Sequence, residues 1–346
     1  MKQFLLKSFW FLLPVLILHL YTWLFYPTNK GDLIRQGYIF DVHPSYRNIF
    51  KAEFDNKRHF TKLSDLPKKR NYDVLTIGDS FSEGDSDGYN NYLGNKGEVD
   101  ILHVDSRFHS DPIQHLYSML NGDIFDHYQV KYVILQSIER LFIERSKNID
   151  SNKVFTLKNA RSLVSEKRKD VDFSLKFPSD RILKFPYYSF QYLITGNQNT
   201  ETQVHRTPIS KNLFSVNNSE LLFFDDDISC LEMNNDQANI SQLNNVLNDL
   251  SVKLLRKGIS LIVMPGPDKY DMYYDYIVDK NKYPRPLFFD YLETENKNYL
   301  YLDSKKILQK DFAGRKDIYF YDDTHWSPWA TQIIAEELSK IIKSEN

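Results

Sequence analysis

Four short apolar runs constrain this chain most: Asp73–Ile77 (DVLTI), Val99–Val104 (VDILHV), Val130–Ser137 (VKYVILQS) and Ile259–Met264 (ISLIVM). Each is too brief for a buried helix and ends at polar or turn residues, so each reads as a buried strand. Helical signals stand between them. Asp111 and Pro112 precede Ile113–Leu120 as an N-cap and first-turn proline would. Ile240, Leu243, Leu247, Leu250 and Leu254 recur at helical spacing, and Gly258 follows as a terminating glycine. Asn298–Asp303 (NYLYLD) reads as a later strand. Ser327 and Pro328 open a last helix whose apolar face is Ile333, Ile334, Leu338, Ile341 and Ile342. Strands alternating with helices predict an α/β fold with a mainly parallel sheet flanked by helices.

The N-terminus adds a second constraint. From Phe9 to Tyr26 run 18 residues interrupted only by Pro14, His19 and Thr22. A helix of that length rises about 27 Å, close to the hydrocarbon thickness of a bilayer. Tyr21, Trp23 and Tyr26 stand near its far end, where interfacial aromatics belong, and Lys2 and Lys7 place its start in the cytoplasm. A cleaved signal peptide needs small residues at its end, whereas this segment ends Leu24, Phe25, Tyr26, Pro27. The expectation is a retained single-pass anchor over 1–26, with the remainder outside the cytoplasm. Residues 27–71 read as a linker and approach segment. The domain proper spans 72–346, with an insertion or lid at about 145–235, where charges, Asn and aromatics mix without a period.

Composition excludes several classes. With 44 Lys and Arg against 46 Asp and Glu, and no long basic run, nothing favours a nucleic-acid partner. The single cysteine, Cys230, rules out an internal disulfide and a cysteine-held zinc; it reads as a packed small residue. His103, His109 and His115 recur at six-residue intervals, which is not a zinc spacing. The 24 Phe and 23 Tyr suit a packed core and a sugar-binding surface equally.

Chemistry concentrates at two places. Gly78-Asp79-Ser80 directly follows a predicted strand, and parallel sheets bind ligands at their strands' carboxyl ends. If a helix follows, its free N–H groups would face an oxyanion formed at Ser80. Five of the 12 glycines lie between Gly78 and Gly97, which suggests special backbone geometry. A serine hydroxyl needs a positioned base. His325, in Tyr321–Trp329 (YDDTHWSPW), follows Asp322 by three residues and Asp323 by two, and either carboxylate could orient the imidazole. Trp326 and Trp329 could stack on a sugar or pack in the core.

GDSFSEG (Gly78–Gly84) with DTHW (Asp323–Trp326) resembles the SGNH hydrolase superfamily, and more closely its branch related to the alginate O-acetylation proteins. VILQSIER (Val133–Arg140) and GISLIVMPGPDKY (Gly258–Tyr270) resemble two further stretches of that branch. The resemblance implies a flavodoxin-like sheet and a Ser80–His325–Asp323 triad, with Asp322 as the alternative acid. It favours Asp323 because Thr324 and Trp326 match the closer branch. Gln136 stands near the place of the superfamily's oxyanion asparagine. Arg140 could bind a sugar acid, and Lys269 could touch substrate. Two departures stand out. The D-x-H motif follows the serine here and precedes it in the alginate proteins. Arg107–Ser110 replaces the glycine expected after the second strand.

The implied activity is O-acyl transfer, most simply acetyl transfer, to a polysaccharide or oligosaccharide, with no metal or organic cofactor. The implied partner is a multi-spanning membrane O-acyltransferase. An O-acetylesterase using the same residues, and a catalytically silent glycan-binding subunit, are the alternatives.

Overall fold

The computed structural model describes residues 2–26, 31–39, 50, 57–84, 86–167, 181–195, 202–217 and 219–344. Its centre is a six-stranded sheet: β1 (Thr61–Lys62), β2 (Val74–Ile77), β3 (Ile101–Val104), β4 (Tyr132–Ile138), β7 (Ser260–Gly266) and β8 (Leu300–Tyr301). The spatial order is β1-β3-β2-β4-β7-β8, and every pairing is parallel. β5 (Val204–Pro208) and β6 (Glu220–Phe224) form a separate antiparallel pair.

The central strands are mostly apolar because both faces are covered, with Thr76, His103, Gln136 and Ser137 as buried polar exceptions. Val74, Ile134 and Ile262 face one cluster, with Ile334 and Leu338 of the C-terminal helix. Leu75, Val133 and Val263 face the other, with Leu243, Leu247 and Leu250 of helix Gln237–Leu255. Alternate residues of one strand therefore enter different cores. The Asp111 carboxylate caps helix Pro112–Asn121 by accepting from the Ile113 and Gln114 N–H groups, and Gly258 takes a left-handed conformation. Ser327 precedes helix Pro328–Ser344 and its backbone carbonyl accepts from the Thr331 N–H, while its buried hydroxyl makes no hydrogen bond among the described residues.

The order places a reversal at the centre of the sheet. After β2 the chain moves outward to β3, then crosses back to β4 and continues the other way. The crevice beyond the carboxyl ends of β2 and β4 is where such sheets bind ligands.

Two expected boundaries differ from the fold. The stretch read as a linker supplies structure: β1 joins the sheet edge, and helix Asp32–Gly37 buries Leu33 and Ile34 completely in the core. The two side chains together contribute roughly 3–6 kcal/mol of burial, and two apolar residues among polar ones gave no period to find. Within the expected insertion, β5 and β6 are core rather than lid: Phe214, Leu221, Leu222 and Phe223 are fully buried beside Tyr270, Tyr273 and Tyr321. Helices Leu157–Lys167 and Arg181–Thr195 occupy its earlier part; residues 168–180 and 196–201 lie outside the described ones.

Helix Lys2–Phe25 stands largely exposed and is the one described helix long and apolar enough to cross a membrane, by length and composition.

Candidate active site

Ser80 follows β2 at the crevice. Gly78 permits the turn: a Cβ there would sit 2.2 Å from Ser82 Oγ and 2.5 Å from Gln136 Oε1. Asp79 anchors the turn. Its Oδ2 accepts from the Ile138 N–H (2.6 Å), at the end of β4, and from Arg145 Nη1 (2.9 Å); its Oδ1 accepts from the Phe81 N–H (3.2 Å). From below, Gln136 Oε1 accepts from the Asp79 N–H (3.1 Å) and the Ser82 hydroxyl (3.0 Å). Ser80 is left exposed, and its N–H has no partner among the described residues. No helix follows directly; the next, Tyr89–Lys96, begins after further turns. Oxyanion donors from a helix terminus at Ser80 are thus not what this turn offers.

The loop before the C-terminal helix brings His325 to Ser80. His325 Nε2 lies 2.7 Å from Ser80 Oγ, and His325 Nδ1 lies 2.6 Å from Asp323 Oδ1. A carboxylate at Nδ1 selects the tautomer with hydrogen there, leaving Nε2 to accept from the serine. The ring packs tilted on Phe81 (5.1 Å) and is 35% exposed at its edge. Burial opposes its charged form, but the Asp323 hydrogen bond and the charges of Asp323, Asp32 and Asp79 outweigh it, raising its pKa above the ordinary imidazole value.

Asp322 points elsewhere. Its Oδ2 accepts from the Gly31 N–H (2.9 Å), and its carbonyl from the Ile34 N–H (3.4 Å). The two adjacent aspartates thus divide between the histidine and helix Asp32–Gly37. That helix returns a second carboxylate. Asp32 accepts from the Thr324 N–H (2.9 Å) and hydroxyl (2.5 Å), and its Oδ2 stands 3.8 Å from His325 Nδ1. Burial, then the Asp323 charge, raises the Asp32 pKa. Nothing in the sequence linked a residue 293 positions upstream to His325; Asp32 is also the first residue of an otherwise unremarkable short helix.

Lys269 does not open on solvent. It is buried, and its Nζ donates to the carbonyls of Phe320 (2.7 Å), Tyr321 (2.7 Å) and Asp323 (3.1 Å). Burial draws its pKa down to about 7, against the charges of Asp322, Asp323, Asp32 and Asp227. It clamps the backbone from which Asp323 and His325 project.

The remaining candidates fall outside the hydrogen-bonded chain. Gln136 is fully buried inside β4 and supports the turn through its oxygen, while its amide nitrogen makes no hydrogen bond among the described residues. Arg140 is held by Asp268 (2.5 Å) and Asp227 (3.1 Å). Trp326 is core, its indole donating to Tyr319; Trp329 lies under the Arg315 guanidinium. Burial, with Asp268, Glu139 and Asp227 nearby, pushes the Cys230 thiol far up, which suits packing rather than reactivity. Asp32, Asp323 and His325 bring three possible ligand atoms within 4.8 Å of one another. Those atoms are already engaged with Thr324, Ser80 and each other, so a cation would have to displace this network.

Residues 220–346 match the family described as "SGNH hydrolase-like domain, acetyltransferase AlgX". The match starts at β6 and includes Lys269, Asp323 and His325 but not Ser80. No curated protein and no solved structure matches the chain.

Proposed function

We propose that this chain is a serine O-acyltransferase, tethered by Lys7–Phe25 with its domain outside the cytoplasm, that acetylates a hydroxyl of a polysaccharide or oligosaccharide. One observation carries the reading: Ser80 Oγ, His325 Nε2, His325 Nδ1 and Asp323 Oδ1 form a continuous chain of 2.7 and 2.6 Å contacts. The sheet order without β1, β3-β2-β4-β7-β8, is consistent with a flavodoxin-like arrangement and supports a site at the β2/β4 crevice. The C-terminal family match supports the superfamily and the acyl chemistry.

The steps follow from the geometry. Ser80 Oγ attacks the donor's acyl carbonyl while its proton passes to His325 Nε2. The free Ser80 N–H faces the developing oxyanion. Asp323 stabilises the imidazolium and holds its orientation. The tetrahedral intermediate collapses, the acyl–oxygen or acyl–sulfur bond to the donor breaks, and the leaving group takes the Nε2 proton. A sugar hydroxyl then gives its proton to Nε2 and attacks the acyl-serine; the bond from Ser80 Oγ to the acyl carbon breaks, Oγ takes the proton from Nε2, and the sugar ester leaves. An exposed serine suits a long polymer acceptor better than an enclosed pocket would. The donor fits a multi-spanning membrane O-acyltransferase delivering acyl groups beside the anchor.

The same exposure favours a second reading, hydrolysis, in which water replaces the sugar. Intact-mass detection of an acetyl adduct after reaction with p-nitrophenyl acetate tests the nucleophile. The adduct is expected in the unaltered chain and absent from Ser80→Ala; an equal adduct in both overturns the assignment. Adding an oligosaccharide acceptor then separates transfer, which yields acetylated sugar, from hydrolysis, which yields acetate alone.

A further inference from the structure

Helix Arg181–Thr195 has two faces of different character. Phe185 and Ser189 are buried, and Tyr192 meets Arg206 of β5 through its hydroxyl (2.6 Å). The opposite face carries Leu183, Tyr187, Phe190 and Ile194, at the i, i+4, i+7, i+11 spacing of one helical stripe, with Leu193 beside it. These five are 62–73% exposed. A contiguous apolar stripe on a helix surface marks a contact site.

Its neighbours say with what. Phe185 packs against Tyr21 (5.8 Å) and Tyr26 (5.3 Å), and Tyr188 stacks on Tyr38 (4.8 Å). Tyr21 and Tyr26 stand at the distal end of the apolar N-terminal helix, where its own exposed apolar surface includes Leu20, Trp23, Leu24 and Phe25. Phe185 thus docks the first half of helix Arg181–Thr195 at the level of the span's terminal aromatics, and the stripe is the face turned away from that packing.

We infer that helix 181–195 is a second membrane-contacting element, lying in the outer lipid interface with Leu183, Tyr187, Phe190, Leu193 and Ile194 toward the acyl chains. This rests on reading Lys7–Phe25 as a membrane span. An amphipathic helix in the interface inserts its apolar face by about 5–10 Å. Together with the span it fixes two points of the domain, so the domain's tilt on the membrane, and the height of Ser80 above it, are set rather than free. Helix Asp32–Gly37 lies between the span and His325, so the same contacts brace the segment that carries Asp32.

The test uses the full chain in phosphatidylethanolamine–phosphatidylglycerol vesicles. Single cysteines replace Phe190, Ile194, Ile17 or Leu255 in a Cys230→Ser background and carry an environment-sensitive fluorophore. Leu255 is equally apolar and 65% exposed, but ends the helix Gln237–Leu255 that packs on the sheet. Quenching is compared between nitroxide lipids and aqueous iodide. Labels at 190 and 194 are expected to be quenched by lipids bearing a shallow nitroxide and shielded from iodide, with 17 deeper and 255 open to iodide. Lipid quenching at 17 with iodide quenching at 190 and 194 overturns the inference and leaves the anchor standing. Iodide quenching at 17 as well overturns both. Labels at 190 and 194 shielded from lipid and iodide alike mark a protein on this face and overturn the lipid assignment.

Discussion

At the scale of single residues, the site depends on what each group is denied as much as on what it contacts. Asp32 gives His325 a second carboxylate at 3.8 Å while its oxygens hold Thr324. Asn at position 32 keeps an oxygen for Thr324 and loses the charge. In the proposed mechanism His325 acts as base when neutral, so a raised pKa would move the onset of activity to higher pH. Asp32→Asn is therefore expected to shift the acidic limb of kcat/KM to lower pH, read from a pH series with p-nitrophenyl acetate; an unmoved limb would show that Asp32 does not act electrostatically. Gly78 is denied any side chain. Gly78→Ala forces its Cβ onto Ser82 and Gln136, with an expected loss of about 1–3 kcal/mol in denaturant unfolding. Displacing Ser80 by a fraction of an ångström should also cut acylation by roughly 10²-fold.

At the scale of elements, the loop 319–327 is the least regular part of the site and the most heavily tied. Lys269, at the start of helix Lys269–Tyr273, gathers three of its carbonyls, a task that needs all three hydrogens of the ammonium. As pH rises through about 7 the group loses one of them, because burial favours the neutral amine. kcat is expected to fall on that alkaline side. Lys269→Met should lower kcat across the range and flatten the alkaline fall, with the far-ultraviolet circular dichroism unchanged; an intact alkaline limb in that variant would assign the fall to another group. Asp79 plays the corresponding part for the serine turn, joining it to β4 and to Arg145.

At the scale of the whole molecule, part of the segment after the N-terminal helix reaches the site: helix Asp32–Gly37 meets Thr324 and His325. A chain beginning at Pro27 keeps Asp32, Leu33, Ile34 and β1, and is expected to form the acyl adduct in solution. A chain beginning at Tyr72 removes all of them, leaves the Asp322 carboxylate without Gly31, and is expected to lose the adduct by at least about 10²-fold, since the loop's position is no longer held. Intact-mass labelling of both chains distinguishes them; equal labelling would make the segment a tether only.

The alternation of apolar runs with helical periodicity determined the parallel sheet, because strands buried on both faces are predominantly apolar and their crossovers are amphipathic. Residue type and local spacing also singled out Ser80 and His325, with Asp322 and Asp323 both as candidate acids, and only the family resemblance favoured Asp323. Only the tertiary structure decided the rest. It turned Asp322 toward Gly31, brought Asp32 from the other end of the chain, buried Lys269 under the loop, and bound Arg140 to Asp227 and Asp268. These are pairings of single polar groups across tens or hundreds of residues. No period or composition encodes them; they exist because the packed sheet and its covering elements bring those atoms within hydrogen-bond reach and deny them water.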